Sequence, residues 1–347
     1  MAADLELAQR IRELAREQGF ARVGFAKAEP LQEDAARFRA WIDHGYHGSM
    51  DYLARSTEVR VDPTHPKMVE GARSVIVLAA PYGSAAPHQH EPGRVARYAQ
   101  SRDYHSILYT RVRAITRLLR ELGYRARASV DTLPILERAW AVRAGLGFIG
   151  KNCLLIIPGL GSYVLLAAVV TSAELPPDEP MRERCGQCRL CLDACPTKAF
   201  VEPRVLDARR CIAYLTIEHE GPIEPALRPE IGDWLFGCDV CQEVCPFNRS
   251  APLAPDPALL PTSRMEEIAA EELLQISEQD FEAMLTRSPL RRPGRAGLAR
   301  NAAIVLGNAR AKRALPILQR SAIADPSDVV KDAAKWALDC LEDNGQK

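Results

Sequence analysis

Ten cysteines in 347 residues, eight of them crowded between Cys185 and Cys245, constrain this chain more than any other feature. Cys185, Cys188, Cys191 and Cys195, followed by Pro196, spell CxxCxxCxxxCP, the run with which bacterial ferredoxins hold four-iron, four-sulfur clusters. Two-residue spacers let three thiolates wrap one corner of a cubane, whereas structural zinc takes its cysteines as separated CxxC pairs. In two-cluster ferredoxins the fourth cysteine of each run crosses to the other cluster. A second run, Cys238, Cys241 and Cys245 with Pro246, supplies the return crossing. Cluster one is therefore expected on Cys185, Cys188, Cys191 and Cys245. Cluster two is expected on Cys195, Cys238 and Cys241, with a fourth thiolate from Cys211, Cys153 or Cys340; Cys211, inside the module, is preferred. The two left over sit among apolar neighbours, where a free thiol behaves as a small hydrophobe. The CxxxCxxC order of radical-SAM enzymes does not occur.

Composition agrees with a metal role. With 47% apolar and 26% charged residues, the chain has the balance of a soluble globular protein. Its start, MAADLELAQR, has acids where a secretory signal needs a basic run, and no apolar stretch reaches the roughly 18 residues of a membrane span. A cytoplasmic protein with no membrane partner is expected, and in that reducing compartment disulfides do not persist. The clusters call for an external low-potential electron donor. Nothing marks a dimer seam, so a monomer is expected.

Residues 4–18 place Leu5, Leu7, Ala8, Ile11, Leu14 and Ala15 at helical spacing and stop before Gly19, a C-terminal cap. Residues 74–80 (SVIVLAA) and 163–170 (YVLLAAVV) read as buried strands, with a helix over 107–122 between them. This pattern predicts an α/β domain over 1–172, a ferredoxin-like two-cluster module over 178–255, linker helices over 256–290 and a helical domain over 291–347. The linker includes an acidic helical segment over 265–285. In the tail, stretches 298–307, 311–323 and 327–342, broken at Gly307-Asn308 and Asp325-Pro326, suit a helix-pair unit of the HEAT type; a plain bundle is the alternative.

The tail is also basic. From Arg291 to Arg320 there are eight cations, Arg291, Arg292, Arg295, Arg300, Arg310, Lys312, Arg313 and Arg320, and no acid, although the whole chain is neutral. A solvated helix face interleaves acids for i,i+4 pairing. Segregated cations suit a polyanion, whose phosphates release counterions on contact, so nucleic acid is the expected partner.

Upstream of the cysteines, polar groups gather at Arg97-Tyr98-Ala99, Arg102-Asp103-Tyr104-His105, Val130-Asp131-Thr132, Glu137-Arg138-Ala139 and from Gly145 to Asn152. Further blocks follow at Cys195-Pro196-Thr197-Lys198-Ala199 and from Tyr214 to His219. In order and spacing, from His47-Gly48-Ser49-Met50 to the last helices, these blocks resemble the epoxyqueuosine reductases, cobalamin-dependent iron–sulfur enzymes similar in N-terminal fold and ferredoxin module to reductive dehalogenases. The resemblance implies that an N-terminal cobalamin-binding domain, fed by the two clusters, reduces epoxyqueuosine at the tRNA wobble position to queuosine, the last step of queuosine biosynthesis. It puts the proton donor on Asp131. Around the cobalamin we expect Asp131, Arg60, Tyr104, Lys151 and Asn152, with His105 near the same site. It also adds His219 to the tRNA-binding candidates Arg291, Arg292, Arg295, Arg300, Arg310, Lys312 and Arg313.

The residues themselves carry part of this. Asp131 precedes Leu133, Pro134, Ile135 and Leu136, so a buried carboxyl that keeps its proton near neutrality is expected; a helix N-cap is the other reading. Gly145, Gly147 and Gly150 spell the dinucleotide fingerprint, but no acidic residue follows at the required distance, and that site is discounted. The histidines, His88 and His90 of a Pro- and Ala-rich loop among them, fall at no metal-binding spacing. Two other functions fit the cysteines: an iron–sulfur subunit that only relays electrons, and a dehalogenase-like cobalamin enzyme acting on a small molecule. A relay needs no polar pocket in a separate domain, and exported dehalogenases carry a twin-arginine signal and lack a basic tail.

Overall fold

The computed structural model describes residues 2–82, 93–249, 251, 256–262 and 268–342. His88, His90 and the start of the acidic segment at Met265 lie outside the described residues.

The N-terminal domain is built on four strands, β1 (Arg22–Lys27), β2 (Ser74–Pro81), β3 (Ala126–Ser129) and β4 (Val164–Thr171). They run antiparallel in the order β1-β2-β4-β3. Every residue of β2 is buried, because helices cover both faces of the sheet. Ile76, Leu78 and Ala80 pack under α1 (Ala2–Glu17) and α2 (Tyr104–Glu121), while Val75, Val77 and Ala79 pack on Trp140 and Ala141 of α3 (Glu137–Arg143). A central strand covered on both sides has no polar face, hence its unbroken apolar sequence.

The later segments do not stand apart from this domain. The short strand Arg94–Val95 pairs in parallel with Trp234–Phe236, beside the second cysteine run. Asp256 is ion-paired to Arg111 of α2, and Leu259 is buried in the α1–α2 core, so the start of the expected linker is packed down on the sheet domain. Among its described residues the acidic segment forms two helices, Ala270–Gln275 and Glu278–Met284.

Three helices end the chain: α4 (Gly294–Asn308), α5 (Leu315–Ala324) and α6 (Asp328–Glu342). From Arg295 to Gly307 every residue of α4 except Ala296 is buried; it is surrounded on all sides rather than amphipathic. Gly307 continues the helix instead of breaking it, and a side chain there would collide with Ala337 of α6. Residues 208–236 share one apolar core with α4, α5 and α6.

The burial of α4 corrects two expected tRNA contacts. Arg300 has no exposed surface. Its guanidinium donates to the carbonyls of Leu215, His219 and Gly221, each at 2.7 Å, and to Asn301 Oδ1. Desolvation lowers it to about 10. Arg295 is buried in an ion pair with Asp325 at 2.8 Å. Neither faces a phosphate; both satisfy acceptors inside the fold, as buried cations must. Asn301 adds bonds to the carbonyls of Thr216 and Leu235 at 2.8 and 3.0 Å, and Asn308 to those of Arg228 and Gly232, both at 2.8 Å.

Arg300→Met strands these carbonyls without donors and is expected to cost about 3 kcal/mol of stability, whereas exposed Arg320→Met stays within about 0.5 kcal/mol. Denaturant unfolding midpoints of the two variants check this.

Candidate functional site

Two groups of thiols lie where the sheet domain meets the cysteine-rich segment. One cavity is walled by Cys185, Cys188, Cys191 and Cys245, with Ile156 and Phe247 as apolar sides. These are the four thiols expected for cluster one, including the crossing Cys245. The second group contains Cys195, Cys211, Cys238 and Cys241. Burial pushes the Cys211, Cys238 and Cys241 thiols up, and the charges of the others in the group push further. Among the described residues no three potential ligands converge as a single metal ion requires, and the first group of thiols lines a cavity. All-thiol cages with apolar walls fit iron–sulfur clusters, whose iron holds as thiolates the sulfurs that burial alone would keep protonated. Cys153 lies beside both groups, pushed by burial up to about 11, and has a left-handed φ of +64°. Cys340 sits on α6.

Lys151 and Asn152, expected around the macrocycle, make their side-chain hydrogen bonds to the cysteine loops. Lys151 Nζ donates to the carbonyls of Gly186 at 2.6 Å and Cys188 at 2.9 Å. Asn152 Nδ2 donates to the Cys241 carbonyl at 3.3 Å. Both side chains clasp cluster loops. They reach them from a hairpin of Phe148–Ile149 and Leu155–Ile156. The discounted glycine string lies on that hairpin, away from any strand-to-helix turn of a dinucleotide site.

Asp131 stands just beyond β3 with φ +54°. Tyr104 Oη donates to its Oδ2 at 2.9 Å, and His105 Nε2 lies 3.8 Å from the same oxygen. His105 Nδ1 meets Asp103 Oδ1 at 2.7 Å. Burial pulls the imidazole down, but Asp103 and the charges of Asp131 and Glu137 outweigh it and hold His105 above its ordinary value. Burial and then Asp131 push the Tyr104 hydroxyl up, so it remains a donor.

The expected burial of Asp131 is not found: its side chain is 64% exposed. Of the apolar residues that follow, only Ile135 is buried. The N-cap reading fails too, because α3 begins at Glu137 with Leu136 as its cap. The carboxyl that burial does perturb is Glu137, pushed by desolvation and then by Asp131 up to about 7. Nothing local in the sequence singles out Glu137, because one acid at the start of a helix carries no signal of its own.

Arg60 faces this site, where burial lowers it and where Tyr52, Glu137 and Asp131 act on it. Its Nε is buried without a partner among the described residues, as is the Tyr163 hydroxyl. On the rim, Arg292 pairs with Glu218 at 2.9 Å and lies over the Tyr52 ring. Arg291 pairs with Glu282, and Arg313 with Glu271 at 2.6 Å. Arg310, Lys312 and Arg320 are exposed. His219 Nε2 lies 3.0 Å from the Pro222 carbonyl.

With Cys211 as the fourth ligand of cluster two, Cys211→Ser is expected to lower bound iron by up to about half, while Cys153→Ala keeps all of it. Iron and sulfide analysis of anaerobically purified protein decides between them.

Residues 184–248 match the family model of the 4Fe-4S double cluster binding domain, and residues 60–132 match that described as epoxyqueuosine reductase QueG, DUF1730. The chain is 42% identical over 343 residues to the epoxyqueuosine reductase of Pseudomonas aeruginosa, covering 96% of this chain and 94% of that one. It is 39% identical over 312 residues to that of Escherichia coli, covering 88% and 82%. A solved epoxyqueuosine reductase with a tRNA-Tyr epoxyqueuosine-modified tRNA stem loop has a TM-score of 0.90 at 32% identity, covering 98% of this chain and 91% of that one. Another, from Bacillus subtilis with its catalytic aspartate loop swung out of the active site, has a TM-score of 0.87 at 31% identity, covering 97% and 91%. With likeness of this order running from the first helix to the last, the chain belongs to the epoxyqueuosine reductase family.

Proposed function

We propose that this chain reduces epoxyqueuosine in tRNA to queuosine, taking electrons through two [4Fe–4S] clusters to a cobalamin beside Asp131. The observation that carries the reading is an exposed carboxyl held by Tyr104 and His105 in a domain fastened to both cluster cages. Removing the epoxide oxygen to leave an alkene breaks two C–O bonds, consumes two electrons and two protons and releases water. Cobalamin, when bound, supplies a strongly reducing cobalt. Asp131 gives a proton to the departing oxygen, and its exposure lets it meet a nucleotide arriving from outside. Tyr104 fixes the carboxyl's orientation, and His105, held in its charged form to higher pH, is the nearest second proton.

The residues present fit the cofactor. Arg60 Nε and the Tyr163 hydroxyl are buried donors without protein acceptors among the described residues, and a corrin edge rich in carboxamides offers acceptors. Arg60, Tyr104 and Asp131 would hold it, while Lys151 and Asn152 act from the cluster side.

The tRNA backbone falls to the exposed cations Arg291, Arg292, Arg310, Lys312, Arg313 and Arg320, with His219 beside them. Exposed ion pairs such as those of Arg291, Arg292 and Arg313 contribute little, so phosphates can displace their carboxylates. The same reading keeps the division into an α/β domain, a two-cluster module, linker helices and a helical domain, with α4, α5 and α6 as a HEAT-type unit, a monomer in the cytoplasm and an external low-potential donor.

Asp131→Asn is expected to keep cluster and corrin absorbance and to lose at least about a hundredfold in turnover; a rate near wild type rejects the role. In cells lacking the protein, mass spectrometry of tRNA should find epoxyqueuosine in place of queuosine. Reversing Arg291 and Arg292 to Glu should weaken stem-loop binding and reduce its logarithmic salt slope by about two. An unchanged slope would make the tail a solvated face.

A further inference from the structure

The loop that carries Asp131 is short and is gripped at two points. At its far end Ile135 is 5% exposed, sunk into the apolar layer that holds α3 to the sheet. At its near end the Asp131 amide and the Ser129 hydroxyl both donate to Oε1 of Glu137, at 2.9 and 3.1 Å. The Leu133 amide closes the turn on Ser129 Oγ at 3.3 Å. Between these points Asp131 and Thr132 are exposed. Asp131 has a left-handed φ of +54°, which a residue other than glycine keeps only where its surroundings hold it. Strand β3 stops at Ser129, so the sheet does not supply that hold.

We propose that Glu137 is a positioning residue, the latch that keeps Asp131 turned toward Tyr104 by taking the 131 amide and the 129 hydroxyl on one carboxyl oxygen. Opening this latch lets the loop carry Asp131 out of the site. The inference rests on the reading of Asp131 as proton donor and adds the group that decides when the donor is in place.

The latch is sensitive to pH. The groups that face Glu137 are Asp131 on the loop, Arg138 on its own helix, Tyr104 and His105 on α2, and Arg60 on the helix Thr57–Val61. Desolvation first, and Asp131 second, push Glu137 up to about 7, whereas a solvated glutamate titrates at about 4.3. The closed loop therefore binds this proton more tightly than an open, solvated one. Its advantage is fully present below the ordinary carboxylate range and is lost as pH rises through about 7.

Glu137→Gln keeps an oxygen in the accepting position but does not titrate, and Glu137→Ala removes the acceptor. Hydrogen exchange of the peptide spanning residues 129–136, read by mass spectrometry on protein whose cluster absorbance confirms folding, should quicken in the Ala variant and not in the Gln variant. On an epoxyqueuosine-modified stem loop, kcat of the Ala variant should fall about a hundredfold with little change in KM, as for a catalytic group lost from its place. The Gln variant should match wild type below pH 7 and decline less steeply than wild type above it. Wild-type exchange and kcat in the Ala variant would overturn the latch, as would a Gln variant as impaired as Ala. If wild-type protein shows no turnover on the stem loop, the functional reading fails, and the exchange experiment still decides the latch.

Discussion

A cage of thiolates stripped of water is unstable until metal fills it and protein closes around it, and most of this fold serves that closure. Cluster loops are pinned from several parts of the chain. Lys151 and Asn152 reach them from the hairpin after α3. Gly237, at φ +70° and pressed on Ala96, turns the chain into Cys238, and its amide donates to Thr216 Oγ1 at 2.9 Å. The Arg97 amide donates to Asp239 at 2.8 Å. Asn301 takes hold of the Leu235 carbonyl from α4. Each contact satisfies a backbone group that burial would otherwise leave unpaired.

The same packing brings the proposed proton site at Asp131 close to the second thiol group. Tyr98 lies 6.1 Å from Tyr104 and 6.2 Å from Phe236, two residues before Cys238. The Asp131 site is thus one aromatic layer from the second thiol group. On the interior side stand deeply buried thiols, and on the outer side stands an exposed carboxyl beside an imidazole that, despite burial, Asp103 holds above its ordinary value. Chemistry that adds electrons to carbon and protons to oxygen needs both supplies within reach and kept apart.

What could be read from the sequence was what local spacing encodes. The cysteine runs pointed to a two-cluster module, because cubane geometry dictates two-residue spacers, and Cys185, Cys188, Cys191 and Cys245 do line one cavity. The apolar runs over 74–80 and 163–170 gave β2 and β4 almost to the residue. What could not be read depends on partners far away in the chain. Arg295 and Arg300 look like their exposed neighbours until the fold supplies Asp325 and the carbonyls around His219. Asp131 seemed buried because apolar residues follow it, yet only Ile135 turns inward. Lys151 and Asn152 were expected around the cofactor and are found donating to carbonyls of the cysteine loops, a contact that nothing local in the sequence announces.

The position of α4 has a consequence for synthesis. Every cysteine of the two groups leaves the ribosome before Arg300 and Asn301, which hold the chain between Leu215 and Leu235 in place. A nascent chain halted before α4 presents its ligands on a floor that has not yet been fastened. The segment between Leu215 and Leu235 is therefore fastened only once the last helices exist, after the last cysteine of the runs has been made.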